Sequence, residues 1–111
     1  MINPPEAIAS NVRQTFGDIA PAFVQYSEEL LFGEVWKREQ LSLRERSLLT
    51  ISALVAAGST EQLPFHIRLG RQHGLTEEQV VEALTHLAFY AGWPRAAAAI
   101  QAAKQLFQET S

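Results

Sequence analysis

The chain contains no cysteine, and that absence removes disulfides, thiolate metal ligands and cysteine nucleophiles together. Thiol redox chemistry is excluded on the same ground, because it needs a peroxidatic or resolving thiol. Basic residues are not in excess: nine Lys and Arg against twelve Asp and Glu leave a formal charge of −3. Clustered Lys and Arg supply most non-specific affinity for phosphate backbones, so nucleic acid is not an expected partner. No apolar run approaches the roughly 20 residues that span a bilayer, which argues against a membrane partner. The opening Met1-Ile2-Asn3-Pro4-Pro5-Glu6 lacks the charged and apolar regions of a secretion signal, and the expected location is the cytoplasm. Metal signatures are missing as well. There is no His-Glu-x-x-His, and His66 and His73 stand seven apart, too far for the usual i, i+4 helical chelate. Nor is there a Gly-rich phosphate loop or a Gly-x-Ser-x-Gly elbow.

What remains reads as helices divided by short punctuation. At 111 residues the expectation is one domain, with residues 1–25 as an N-terminal helical extension and 26–107 as the core. Pro4-Pro5 opens a first helix to about Gly17-Asp18, and Pro21 a second through Phe32. Ser42-Leu43-Arg44-Glu45 fits a capping box, in which Ser caps the N3 amide and Glu reaches back to the cap amide. The helix it starts runs to Gly58, is apolar on most faces, and is expected at the centre of the fold. A further helix begins near Thr60 or Glu61, accepts Pro64 in its first turn and ends at His73-Gly74. Thr76-Glu77-Glu78-Gln79 is a second capping box, opening a helix to Gly92. Pro94 starts the last helix, whose Ala96–Ala99 run favours helix and close axial approach. Nothing alternates long enough for a strand, so the fold class is all-α, a single domain of about six helices.

Three polar features stand out on those helices. Arg46 lies in the opening turns of the most apolar helix, where the macrodipole disfavours a cation. With Arg44 close beside it, it calls for an anion, either Glu34 or Glu45 or a bound ligand, or is simply solvated. His66 shares a face with Leu69, Gly70 and His73, and Gly70 leaves room there for a ligand or a closely packed helix. Glu82, His86 and Tyr90 form a polar stripe at i, i+4 and i+8. Such a stripe lines a pocket or a subunit contact, or is a Glu–His pair beside a tyrosine whose hydroxyl reaches solvent.

Several segments together resemble the carboxymuconolactone decarboxylase family. They are Phe32-Gly33-Glu34-Val35-Trp36, Leu43 with Arg46-Ser47-Leu48-Leu49-Thr50-Ile51, Glu61 through His66, Gly74-Leu75-Thr76-Glu77-Glu78, and His86-Leu87-Ala88-Phe89-Tyr90-Ala91-Gly92-Trp93-Pro94. The likeness covers roughly residues 26 to 107 and implies an alkyl hydroperoxidase D-like helical fold. It also implies self-association as a homohexamer, a trimer of dimers, with a trimer as the fallback. Superfamily peroxidases carry a Glu, a Cys-x-x-Cys pair and a downstream His. Those positions fall on Ser47, Ser59, Gln62 and His66, so only the histidine is retained and the peroxidase activity is not expected here.

The activity the resemblance implies is cofactor-independent decarboxylation of γ-carboxymuconolactone to an enol-lactone and CO2 in aromatic catabolism, or a close variant of it. Loss of CO2 pushes electrons through the ring double bond into the lactone carbonyl, giving an aromatic 2-oxyfuran anion, so no cofactor is required. The enzyme holds a dianion, stabilises the oxyanion and protonates carbon. His66 and Arg46 are the catalytic candidates, the arginine as a bidentate carboxylate contact and the histidine as acid or hydrogen-bond donor. Glu34, Trp36, Ser47, Gln62, Glu82, His86 and Tyr90 are the expected pocket-lining or substrate-binding residues. The substrate class is a small carboxylate or lactone. The alternative is a non-catalytic oligomeric protein that binds a small molecule.

Overall fold

A computed structural model describes residues 12–110, which form six α-helical segments and, among the described residues, no strand. The all-α expectation is met. Most of the helix expected from Pro4-Pro5 lies outside the described residues; its end, 12–16, is helical and gives way to a turn at 17–19. The chain divides into two compact units, Met1–Leu43 and Arg44–Ser111. The division falls downstream of residue 25 because the elements between Pro21 and Lys37 pack on one another.

In the first unit Pro21 occupies the first turn of α1, Pro21–Gln25, where its fixed φ suits a helix and its missing N–H costs nothing. The helix expected to reach Phe32 then widens into a π turn, Tyr26–Leu31. The Ser27 hydroxyl donates to the Phe23 carbonyl at 2.9 Å, and the Phe32 amide donates to the Ser27 carbonyl at 2.8 Å. Serine bonding back to its i−4 carbonyl competes with the regular ladder. A 3₁₀ turn, Val35–Lys37, follows, and within the unit the buried Phe32 and Trp36 rings lie 6.0 Å apart.

The second unit holds α2, Leu43–Ala57, from its second residue on; α3, Leu63–Gln72; α4, Glu77–Leu87; and α5, Trp93–Thr110. Gly58, at φ +74°, ends α2, and the Ser59 amide returns to the Leu54 carbonyl at 2.8 Å, the pattern of a left-handed glycine terminator. Pro64 lies in the first turn of α3. Thr76 and Gln79 complete the expected capping box at 3.0 Å in both directions. Helix α4 stops at Leu87, short of Gly92. The amides of Ala88, Phe89 and Tyr90 bond three residues back rather than four, and this tightened segment ends at Gly92, φ +103°.

Helix α2 contributes one narrow stripe, Ser47, Ile51 and Val55, while Leu49 is exposed. Helices α3 and α4 both pack on α5, so the common partner is the last helix rather than α2. Small size explains this: Ala96, Ala99 and Ala103 are buried, and methyl side chains let neighbouring axes approach. Leu63, Ile67, Val80, Leu84 and Leu106 fill the rest of the core; each such side chain contributes about 1.5–3 kcal/mol on burial. Among the described residues no helix is long and apolar enough to cross a membrane.

Candidate functional site

Helices α2 and α3 meet at Gly70. A Cβ there would stand 3.5 Å from Ser47 Cβ and 3.4 Å from Ile51 Cδ1, and 2.8 Å from Leu75 Cδ1. The room beside Gly70 is therefore taken by a packed helix, the second of the two uses the sequence allowed. At the same crossing Ser47, 1% exposed, places its Oγ 2.7 Å from Nδ1 of His73. Ser47 is thus committed to a histidine that sequence reasoning left out of the site. Its signal was present, since His73 shares a face with Gly70.

That crossing fixes a register. His66 precedes His73 by seven residues, about 10 Å along the α3 axis at 1.5 Å per residue. His66 is half-buried, and its Nδ1 is enclosed without a hydrogen-bond partner. Burial holds its pKa below the usual histidine value, because a desolvated imidazolium is disfavoured. The ring is neutral near pH 7. Arg46 directly precedes Ser47 in α2. It is half-buried and takes part in an interaction within the fold.

The polar stripe meets a different arginine. A groove of about 440 Å³ between α2 and α4 is lined by Arg44, Leu48 and Ser52 on one side and by Gln79, Glu82, Ala83, His86 and Leu87 on the other, with Leu75. Arg44 is half-buried, its Cδ 3.8 Å from where a Cβ of Gly74 would stand. Among the described residues its guanidinium has neither a hydrogen bond nor an ion pair. Tyr90 falls beyond the end of α4. It is 79% exposed, and its ring stacks on His86 at 4.9 Å.

The other expected residues lie apart. Gln62 is exposed at the N-cap of α3 and makes no side-chain cap bond. In the first unit Glu34 is exposed, and Trp36 lines a cavity of about 710 Å³ with Lys37, Arg38, Glu39, Leu41, Ser42 and Leu43.

A small helical protein that sets a neutral histidine on one helix face and an arginine–glutamate–histidine groove beside it belongs to the all-α class that builds sites from helix faces. Within that class the assignment is specific. The model of the carboxymuconolactone decarboxylase family matches residues 21–105, and the chain belongs to this family. It is 32% identical over 96 residues to a 4-carboxymuconolactone decarboxylase of Acinetobacter baylyi, covering 86% of this chain and 72% of that protein. It is 34% identical over 79 residues to the nitrosuccinic acid decarboxylase npaB of Metarhizium robertsii, covering 68% of this chain and 55% of that protein. An uncharacterised 15.0 kDa protein of Paracoccus denitrificans is 29% identical over 83 residues, covering 73% of this chain and 62% of that protein.

Proposed function

We propose that this chain is a cofactor-independent decarboxylase of a small dicarboxylic acid whose departing carboxylate stands next to an electron sink. Two relatives carry names of that kind, a 4-carboxymuconolactone decarboxylase and a nitrosuccinic acid decarboxylase. Both acids hold a second carboxylate. In both, the pair left by C–C cleavage has somewhere to go, a conjugated lactone carbonyl in one and a nitro group in the other. The C–CO2 bond breaks, CO2 leaves, the sink takes the electron pair, and a proton returns to carbon.

The observation that carries this reading is His66, a half-buried, neutral imidazole with an enclosed, unpartnered ring nitrogen at the position matching the superfamily histidine. A neutral imidazole donates a hydrogen bond to a developing oxyanion without first giving up a proton, and a preorganised donor of this type adds about 3–4 kcal/mol. Arg46 is the proposed carboxylate contact. The chain acts as a homo-oligomer, a hexamer or trimer, in the cytoplasm. Phe89, Tyr90 and Trp93, at 78%, 79% and 68% exposure, support self-association, since monomers rarely leave large apolar clusters open.

The test is CO2 release by purified protein with 4-carboxymuconolactone and with nitrosuccinic acid, without added metal or cofactor. Release from either acid above the uncatalysed rate is expected. No release from either overturns the reading.

A further inference from the structure

The α2–α4 groove holds a cation that no carboxylate pairs among the described residues. The half-buried Arg44 side chain brings a guanidinium, neither hydrogen-bonded nor ion-paired among the described residues, to a groove whose other walls are largely apolar. Guanidinium geometry matches a carboxylate bidentately. The groove supplies a second donor. The Gln79 amide oxygen is used by the Thr76 cap, which leaves its NH2 free. Arg44 and Gln79 both lie in the first turn of a helix of more than ten residues, so two positive dipole ends reinforce the same sign.

The rest of the lining sets the shape and charge of the ligand. Leu48, Leu75, Ala83 and Leu87 offer apolar surface, and about 440 Å³ lies within the roughly 300–1,000 Å³ of small-molecule sites. The Glu82 carboxylate lines the same groove. It repels a second anionic group, so a dianion is disfavoured while a monoanion with an apolar body is accepted.

We propose that this groove, through Arg44, binds a small monocarboxylate with a flat or apolar body, at a site separate from His66. It rests on the proposed decarboxylation only for the source of the acid: removing CO2 from a dicarboxylate leaves a monocarboxylate, the charge state the groove selects. The physical claim, an Arg44-dependent acid site, needs no turnover.

The test is a benzoate titration of the full chain, followed by NMR of the imidazole protons of its three histidines, with succinate as the dianionic comparison. Benzoate is expected to shift the His86 resonances and leave those of His66 in place. Arg44→Gln, with unchanged circular dichroism, is expected to weaken benzoate about tenfold or more, the range for losing a charge-assisted pair. Succinate is expected to bind more weakly than benzoate, and Glu82→Gln to narrow that difference. The inference is overturned if millimolar benzoate leaves His86 unshifted, as a second copy of the chain seated in the groove would ensure. It is overturned equally if Arg44→Gln binds as the parent does. Because the readout is binding, absence of CO2 release would refute the proposed enzyme and leave this site standing.

Discussion

Ser47 on α2 and His73 at the end of α3 are joined side chain to side chain, Oγ to Nδ1, at 2.7 Å. The bond lies where Gly70 lets the two helices touch, so it pins both the crossing and its register. Ser47→Ala is expected to destabilise the fold by about 1–3 kcal/mol, because it strips a partner from a ring nitrogen of the half-buried His73. Urea denaturation checks this. A midpoint equal to that of the parent contradicts it.

His66 makes stability depend on pH. Its folded-state pKa is lowered by burial, so the unfolded chain binds the proton more readily. Above the unfolded value, about 6.5, both states are neutral and the residue contributes no slope. As pH falls below that value the unfolded state gains the proton first, and stability drops until the folded pKa is reached. His66→Gln should flatten this part of the curve, read by denaturation at pH 7.5 and 5.5. An identical slope in both proteins would show that His66 titrates normally.

In the proposed reaction the two catalytic candidates separate by kinetic signature. His66→Gln is expected to lower kcat by about 10²–10³, the range for loss of one oxyanion donor, with KM little changed. Arg46→Ala is expected to raise KM with kcat nearly constant, since a carboxylate contact is made in ground and transition states alike. Should Arg46→Ala lower thermal stability and leave KM untouched, the arginine is structural.

Self-association predicts a mass above that of one chain by light scattering at micromolar concentration. Replacing Phe89 and Trp93 together with serine is expected to shift that mass downward, because their exposed rings pack edge to face at 6.3 Å as one apolar cluster. A monomeric parent protein refutes the assembly.

Much of the fold was legible because its signals are local. The Thr76–Gln79 box and Gly58 each act within a turn and marked helix ends correctly, and Pro64 falls in the first turn as expected, though α3 begins at Leu63 rather than at Thr60 or Glu61. The early stop of α4 was not legible, since three-residue hydrogen bonds after Leu87 replace the helical ladder without a breaker until Gly92. The central place of α5 was hidden for another reason: a helix of alanines looks unremarkable by hydropathy, yet its smallness gathers neighbours. At the site, periodicity grouped Glu82 with His86, and both line one groove. It could not say whether Arg44 or Arg46 faces them, because two residues apart on a helix is about 200° of rotation. The groove lining shows that it is Arg44.

Gly92 carries one more consequence. No heavy atom lies within 4 Å of where its Cβ would be, so by space alone any small residue fits. Its φ of +103° is nonetheless one that L-residues resist. The obstacle is handedness rather than volume. At this link between α4 and α5 an alanine of ordinary chirality strains the backbone, whereas its mirror image, introduced by chemical ligation, matches the sign of φ. A D-alanine here narrows the unfolded ensemble, a gain of about 0.4–1 kcal/mol where the native conformation is compatible, which the twenty genetically encoded residues cannot reach at this position.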